Sequence, residues 1–154
     1  MARAADDVSG LDKRIIEHLQ QDGRRPFTQI AAELGVSEAA VRARTNRLVE
    51  RGILQIVGVT DPLRLGFGLQ AMIGVRCEAG KLIEVADRVA EFAEVDYVVI
   101  TAGTYDLLIE IVCEDNEALL EFLADRLRSI AGVRDTETFV YLRMVKQTYQ
   151  WGTR

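Results

Sequence analysis

The hydrophobic positions near the start of the chain recur with the spacing of an α-helix. Leu11, Ile15, Ile16 and Leu19 fall on one side of a helical wheel, and this pattern predicts a first helix from Leu11 to Gln20. The polar residues between them would then face water. The chain therefore opens with an amphipathic helix.

Two further helices are predicted before residue 53. Thr28 is the candidate N-cap of a short helix through Leu34. Ser37 is the candidate N-cap of a third helix that runs to about Arg51, where Gly52 stops it.

A β-branched segment and a set of turn residues follow the helices. Residues 53–60 are rich in valine, isoleucine and threonine, which predicts a strand beside the helices, as in a winged domain. Asp61-Pro62 and two nearby glycines then interrupt the pattern. We expect a first domain at 1–60, a linker at 61–68 and a second domain at 69–154.

The second domain alternates strand-like and helix-like patterns. The predicted elements are a strand at 69–77, a helix at 81–92, strands at 96–101 and 106–113, a helix at 116–130 and a long last strand at 136–148. The order β-α-β-β-α-β is that of a ferredoxin-like α+β domain.

Two of these strands are apolar on consecutive residues. Residues 98–100 and 107–109 would place hydrophobic side chains on both faces of the sheet, whereas both helices of this plan cover the same face. We therefore expect a second subunit to cover the open face in a symmetric homodimer. Cys77 and Cys113 lie late in neighbouring antiparallel strands, so they should sit at opposite ends of the sheet and not form a disulfide.

The charge of the chain is unevenly divided. The net charge is −5, yet residues 1–60 hold nine Lys/Arg and eight Asp/Glu, whereas residues 61–154 hold ten and sixteen. The segment from Glu38 to Arg51 contains four arginines and only two glutamates. A local basic stripe of this kind is typical of a nucleic-acid interface, even in an acidic protein.

The second and third helices are spaced as a helix-turn-helix. Ala31, Gly35 and Val41 stand at i, i+4 and i+10. A small residue allows the helices to approach, a glycine suits the left-handed turn, and a β-branched residue fills the wedge between them. The arrangement predicts a DNA-binding unit with the third helix in the major groove.

A helical wheel divides the third helix into an inner and an outer side. Val41, Thr45 and Leu48 should face the core, while Arg44 and Arg51 lie on the flank. Arginine and asparagine can bond base edges, and flanking arginines suit phosphates. The alternative is a solvated arginine-rich face. The predicted DNA-binding residues are Ser37, Glu38, Ala39, Arg42, Ala43, Arg44, Asn46, Arg47 and Arg51.

Three stretches of the sequence form a distinctive set, namely residues 11–16 (LDKRII), 35–44 (GVSEAAVRAR) and 103–106 (GTYD). Residues 35–44 resemble the recognition helix of the leucine-responsive/asparagine-regulator (Lrp/AsnC) family of feast/famine regulators, and the other two stretches resemble that family's other two signatures. The resemblance extends from about residue 7 to residue 145. Thr45 is a departure, because an aliphatic residue is usual there.

The resemblance implies dimers that often assemble into octamers or larger rings, with an amino acid or similar small effector bound near the loop between the second and third strands. Carried onto this chain, the expected effector-binding residues are Thr101, Gly103, Thr104, Tyr105, Asp106, Arg134, Thr136 and Thr138. Gly103 would expose backbone N–H groups to a carboxylate, and Asp106 would accept from an ammonium. An ordinary turn, with Asp106 bonding nearby backbone, would select the same residues.

Other classes of protein fit the residues less well. Lrp-like sirohaem decarboxylases share this architecture but use histidines in the C-terminal half, and this chain has none after His18. Glu110 could be a perturbed acid, although pairing across an interface is the plainer interpretation. We expect no enzyme activity, cofactor or metal, no membrane segment, and a cytoplasmic protein. An architectural DNA-binding protein without an effector remains an alternative.

Overall fold

The structure, a computed structural model, describes residues 8–149 and 152–153, and it divides into two compact units. The first contains 8–59 together with 146–149 and 152–153, and the second is Thr60–Val145. The sequence placed everything after residue 68 in one domain. The end of the chain differs from that expectation, because it belongs to the helical unit.

Three helices form the first unit: α1 (Gly10–Gln21), α2 (Phe27–Leu34) and α3 (Glu38–Glu50). Gly35 ends α2 at φ 68°, the left-handed conformation that the helix-turn-helix spacing predicts. Ser37 caps α3 by accepting from the Ala40 N–H at 3.2 Å, as expected. The core of the unit consists of Ile15, Ile16, Leu19, Ile30, Ala31, Val41, Leu48 and Leu54.

The start of α2 differs from the sequence prediction. The helix begins at Phe27 with Pro26 as its N-cap, so Thr28 is not the cap. The Pro26 carbonyl accepts from the N–H groups of Gln29 and Ile30. A proline suits a helix start because its φ is already helical and it has no N–H group to leave unsatisfied.

The strand predicted at 53–60 is not formed, so that prediction was wrong. These residues follow α3 without pairing to any strand of the described chain. Ile56, Val57 and Val59 are exposed. β-branched composition favours an extended backbone, but a strand also needs a neighbour to satisfy its N–H and C=O groups, and the sequence pattern does not supply one.

The second unit begins with a 3₁₀ turn at Leu63–Leu65 and contains a four-stranded antiparallel sheet. Its elements are β1 (Leu69–Cys77), α4 (Leu82–Ala90), β2 (Val95–Ile100), β3 (Leu107–Cys113), α5 (Asn116–Glu121) with a π-helical continuation (Phe122–Leu127), and β4 (Val133–Val140). The strand order β2-β3-β1-β4 is the predicted ferredoxin-like plan, so the α+β fold class is confirmed.

Both helices cover one face of this sheet. Alternate residues of β1 and β3 are buried against α4, α5 and the π-helical segment. Cys113 pairs with Leu69, eight residues before Cys77 on β1, so the two thiols lie about 26 Å apart at the usual rise per residue. The predicted separation of the two cysteines is therefore confirmed.

The opposite face of the sheet is the one predicted to be open. Glu110 lies there and accepts from Gln70 at 2.8 Å. Burial, followed by a hydrogen bond to Glu110, raises the pKa of Tyr141 to about 12. Both partners of Glu110 come from its own chain, so pairing across an interface is not needed to explain it.

The last strand is shorter than predicted. It ends at Val140 and not at Thr148, because its ladder with β1 runs out: Val140 pairs with Ala71, and one more bond joins the Tyr141 N–H to the Gln70 carbonyl. The chain beyond has no strand beside it, and Leu142 is 98% exposed.

The predicted helix at 116–130 changes its winding within the apolar pattern. After Glu121 the backbone becomes π-helical as far as Leu127, and the Arg128 N–H reaches the Leu123 carbonyl, five residues back. Spacing of apolar residues cannot distinguish the two windings over so few residues. The smaller differences at the ends of α4, β2 and β3 are one to two residues, the usual uncertainty of element ends.

Thr45 carries an unsatisfied polar atom in the core of the first unit. The residue is 2% exposed, and its Oγ1 has no hydrogen-bond partner among the described residues. A buried hydroxyl without a partner costs free energy that an aliphatic side chain of the same shape does not.

We therefore predict that Thr45→Val raises the free energy of unfolding by about 1 kcal/mol, measured by urea denaturation. The control is Val41→Thr on the same helix, where a hydroxyl would enter a fully buried position. That change should lower the free energy of unfolding by about 1–3 kcal/mol. A loss of stability in Thr45→Val would contradict the account of this position.

Candidate nucleic-acid interface and effector loop

Helix α3 has the two sides that its sequence predicts. Val41, Thr45 and Leu48 are buried, which confirms the inner side. The outer side is exposed at Ala39, Arg42, Ala43, Asn46 and Arg47, and Arg51 is exposed at the C-cap. Small side chains and long hydrogen-bond donors therefore alternate on one accessible surface.

Arg42 contacts two partly exposed side chains at the start of this surface. Its guanidinium pairs with Glu38, one turn earlier on α3, and lies 5.3 Å from the centre of the Phe27 ring on α2. The Arg42 side chain is 59% exposed. An exposed ion pair of this kind is weak, so the guanidinium can leave Glu38 for a stronger partner.

Arg44 and Arg47 share a buried partner on α1. The Asp12 carboxylate accepts from Arg44 at 2.9 Å and from Arg47 at 3.2 Å and 3.3 Å. The Asp12 side chain is 2% exposed, whereas those of Arg44 and Arg47 are 33% and 51% exposed. One buried carboxylate thus holds two partly exposed guanidinium groups.

The start of α1 fixes the carboxylate itself. Asp12 accepts from the hydroxyl of Ser9 at 2.7 Å and from its N–H at 3.2 Å, while the Ser9 hydroxyl accepts from the Asp12 N–H, which completes a capping box. The Ser9 hydroxyl also accepts from Arg44 at 3.2 Å. The cap of α1 and the arginines of α3 therefore belong to one hydrogen-bonded network.

Burial acts to raise the pKa of the Asp12 carboxyl, but the hydrogen bonds from Ser9 and Arg44 outweigh it, and the pKa lies below its ordinary value. The carboxyl is consequently charged at neutral pH. Because the folded pKa is lowered, the stability that it contributes is present at neutral pH and is lost as the pH falls through the lowered pKa.

Asp12 is the residue that sequence reasoning missed at this surface. The sequence divided the arginines by their position on the wheel and assigned no partner to Arg44 or Arg47. A signal was present, because Ser9 and Asp12 have the S-x-x-D spacing of a capping box. That spacing predicts a helix start, but it does not reveal that a second helix will share the carboxylate.

The loop between β2 and β3 is held together by its own backbone. Thr101 donates from its N–H to the Asp106 carbonyl at 2.9 Å, and its hydroxyl donates to the Tyr105 carbonyl at 2.5 Å. The Asp106 carboxylate accepts from the Cys77 N–H at 2.7 Å. These contacts favour the interpretation of Asp106 as a turn residue over that of an effector ligand, because one of its carboxylate oxygens is already bonded to the backbone.

Gly103 does not use the conformational freedom that the sequence interpretation gave it. Its φ lies outside the left-handed region, and a Cβ added there would meet nothing within 4 Å. The residue is exposed at the tip of the loop. Its backbone is accessible to a ligand, but glycine is not required by the local conformation.

A glycine is required at a neighbouring position that the sequence did not single out. A Cβ on Gly74 would lie 2.6–2.7 Å from ring atoms of Tyr105. The Tyr105 ring also packs edge-on against Phe139, with the two ring centres 6.2 Å apart, and its centre lies 5.3 Å from the central carbon of the Arg76 guanidinium. Tyr105 is therefore packed flat on the open face of the sheet.

Arg76 connects the loop to the start of β4. It donates to the Thr104 carbonyl and to Asp135, both at 3.1 Å. Arg134, next to Asp135, is exposed. The structure therefore brings the loop and the first residues of β4 to the same end of the sheet.

Thr136 and Thr138 point away from that cluster. They pair with Val75 and Ile73, which are buried beneath the helices, so both threonines lie on the helix-covered face, and Thr136 accepts from Arg128. The eight predicted effector residues are consequently divided between two faces of the sheet within one subunit.

Two kinds of site are not found in the described part of the chain. No group of three or more His, Cys, Asp or Glu side chains there is placed to hold a metal ion. Among the same residues, none of the helices has the length and hydrophobicity of a membrane-spanning segment.

Comparison with known families accounts for both units. Residues 9–49 match the AsnC-type helix-turn-helix domain, and residues 70–151 match the Lrp/AsnC ligand binding domain. Together with the exposed face of α3, these matches define the class as a DNA-binding transcriptional regulator. The chain belongs to the Lrp/AsnC family.

Individual relatives agree over nearly the full length. An uncharacterized HTH-type transcriptional regulator of Pyrococcus furiosus is 38% identical over 140 residues, which cover 90% of this chain and 95% of the relative. The HTH-type transcriptional regulator FL11 of the same organism is 37% identical, covering 92% and 93%. A Neisseria meningitidis regulator solved as a complex with L-Met is 28% identical, with a TM-score of 0.81 and coverage of 92% and 94%.

Proposed function

We propose that this regulator binds specific DNA sequences through the outer face of α3 and that an amino acid or similar small molecule controls this binding. The observation that carries the proposal is the outer face itself, where Ala39 and Ala43 leave room beside exposed Arg42, Asn46 and Arg47. Such a surface can approach the floor of the major groove closely while its longer side chains bond base edges.

The arginines have different roles in this proposal. Arg42 and Arg47 contact guanine edges and Asn46 an adenine edge, while Arg44 and Arg51 contact phosphates. Ser37 and Glu38 lie at the N-terminal end of α3, the end that enters the groove in helix-turn-helix proteins. The exposure of these residues supports the assignment.

A symmetric dimer formed through the open face of the sheet is part of the proposal. Leu108 and Val112 of β3 are only half-buried there, and Tyr97 and Phe139 are exposed. A second copy would remove this apolar surface from water. Two copies of α3 would then bind near-palindromic half-sites roughly 34 Å apart. By analogy with the family, we expect the dimers to associate further into octamers or larger rings.

The loop at 101–106 and the start of β4 form the proposed effector site. The L-Met complex of the Neisseria relative supports an amino acid as the class of effector. Because Thr136 and Thr138 lie on the other face from Tyr105, they would join this site only through a neighbouring subunit. We propose neither an enzyme activity nor a cofactor, and we expect the protein in the cytoplasm with its DNA.

One observation favours a second candidate, an architectural DNA-binding protein without an effector. The polar groups of the loop are largely satisfied within the chain, since Asp106 accepts from Cys77 and Thr101 donates to Tyr105. A thermal-shift panel of the amino acids separates the two candidates. A ligand that stabilises the protein and changes its DNA affinity favours the regulator.

The division of roles among the arginines is testable with single substitutions. Arg42→Ala and Arg47→Ala should each reduce the preference for the bound sequence over scrambled DNA, because each removes a base contact of about 1–3 kcal/mol. Arg44→Ala should weaken binding to both duplexes alike and make the salt dependence shallower by about one unit of slope. Fluorescence anisotropy titrations at several salt concentrations measure both quantities.

The two duplexes are a sequence enriched from a random pool by the unmodified protein and a scrambled version of it. Equal losses on both duplexes for all three variants would contradict the division of roles. Failure of the unmodified protein to enrich any sequence would contradict specific DNA binding altogether.

Effector control is testable at Gly103, which is exposed and has space around it. Gly103→Trp should abolish the effect of the stabilising amino acid on DNA affinity, expected at about 1–3 kcal/mol, while DNA binding without ligand is unchanged. Isothermal calorimetry and anisotropy measure the two properties. A retained response would place the effector elsewhere.

A further inference from the structure

We propose that Asp12 is a positioning residue for DNA recognition, which fixes Arg44 and Arg47 without touching DNA. This inference rests on the proposed function, because it concerns the same face of α3. It assigns a role in sequence discrimination to a carboxylate on α1, a helix that contributes no predicted DNA contact.

The number of bonds to Asp12 exceeds what the cap of α1 needs. The capping box is complete with the two bonds from Ser9 and the return bond from the Asp12 N–H. Arg44 and Arg47 add three contacts from another helix, distributed over both carboxylate oxygens. The carboxylate therefore connects two helices as well as beginning one.

Burial makes this connection rigid. A buried carboxylate is costly unless charged partners and hydrogen bonds compensate it, so Asp12 keeps its arginines in place. Each guanidinium then loses side-chain freedom when the protein folds and not when DNA binds, which favours binding in one geometry. Arg42 differs, because its partner Glu38 is exposed.

The charge of Asp12 has a separate effect on DNA. Near two arginines, its negative charge lowers their attraction for any phosphate. Asp12 should therefore improve discrimination and weaken indiscriminate binding at the same time. A purely structural carboxylate would not produce these opposite changes, since loss of folding lowers the affinity for every duplex.

The test replaces the charge and keeps the shape. Asp12→Asn is titrated by anisotropy with the enriched duplex and its scrambled version at several salt concentrations. We expect the ratio of specific to scrambled affinity to fall about tenfold, within the range of one base contact. Affinity for scrambled DNA should be unchanged or higher, with an equal or steeper salt dependence.

Glu17→Gln is the matched control. Glu17 lies on the same helix, is exposed and accepts from Thr153, whereas the described partners of Arg44 and Arg47 are Ser9 and Asp12. The substitution removes the same charge, so its ratio of specific to scrambled affinity should equal that of the unmodified protein. A fall like that of Asp12→Asn would assign the effect to net charge and overturn the proposal.

One further variant keeps the test decisive if Asp12→Asn is poorly folded, as judged by thermal unfolding. Ser9→Ala retains the carboxylate but removes a hydroxyl that donates to it and accepts from Arg44, so a smaller fall in the ratio is expected. If Asp12→Asn folds, its combination with Arg47→Ala should lose less discrimination than the sum of the two single losses, because Asp12 acts in part through Arg47.

Three results distinguish the inference from the function on which it rests. An unchanged ratio in folded Asp12→Asn, or in Ser9→Ala if the first variant does not fold, would overturn the positioning role. Fully additive losses in the double variant would do the same. Failure of the unmodified protein to enrich any DNA sequence would overturn the proposed function instead.

Discussion

The packing of α1 against α3 in the helical unit depends on one buried charge, the carboxylate of Asp12. Asp12 is enclosed between α1 and α3, and because a carboxylate in that position must be paired, Arg44 and Arg47 have to approach α1 in one way. Apolar packing of Ile15, Val41 and their neighbours brings the helices together but is not directional. The ion pairs of Asp12 are directional, so they also fix the positions of Arg44 and Arg47 on the basic surface of α3.

The sheet domain follows from a different constraint, which is that a sheet has two faces and its helices cover one. Gly74 and Tyr105 show how part of the other face is covered within the chain, since the ring occupies the space of the missing side chain. Tyr97 and Phe139 remain exposed. The proposed dimer surface and the proposed effector loop at 101–106 are therefore neighbours, and Arg76 contacts both the loop and the start of β4.

What the sequence predicts well is local or periodic. Gly35 and Ser37 predict the turn and the start of α3 because of their own conformational and hydrogen-bonding preferences. The hydrophobic patterns predict the element order β-α-β-β-α-β, and the ferredoxin-like plan then gives the strand order. Pairing partners are not local: residues 53–60 have strand composition but no neighbour in the described structure, and β4 stops beside the first residues of β1. The pairing of Asp12 is unpredictable for the same reason, since its arginine partners are more than thirty residues away.

The proposal that the outer face of α3 lies in the DNA groove can be tested with a DNA-cleaving iron chelate attached to Glu50→Cys, an exposed position about two turns after Ala43 on the same side of the helix. Cys77 and Cys113 are buried, and burial raises the pKa of both thiols, so the exposed new thiol reacts selectively. With α3 in the groove, cleavage is expected at fixed bases within each half-site. Scattered cleavage, or cleavage no stronger than that from a chelate at Ala90→Cys on α4, would contradict it.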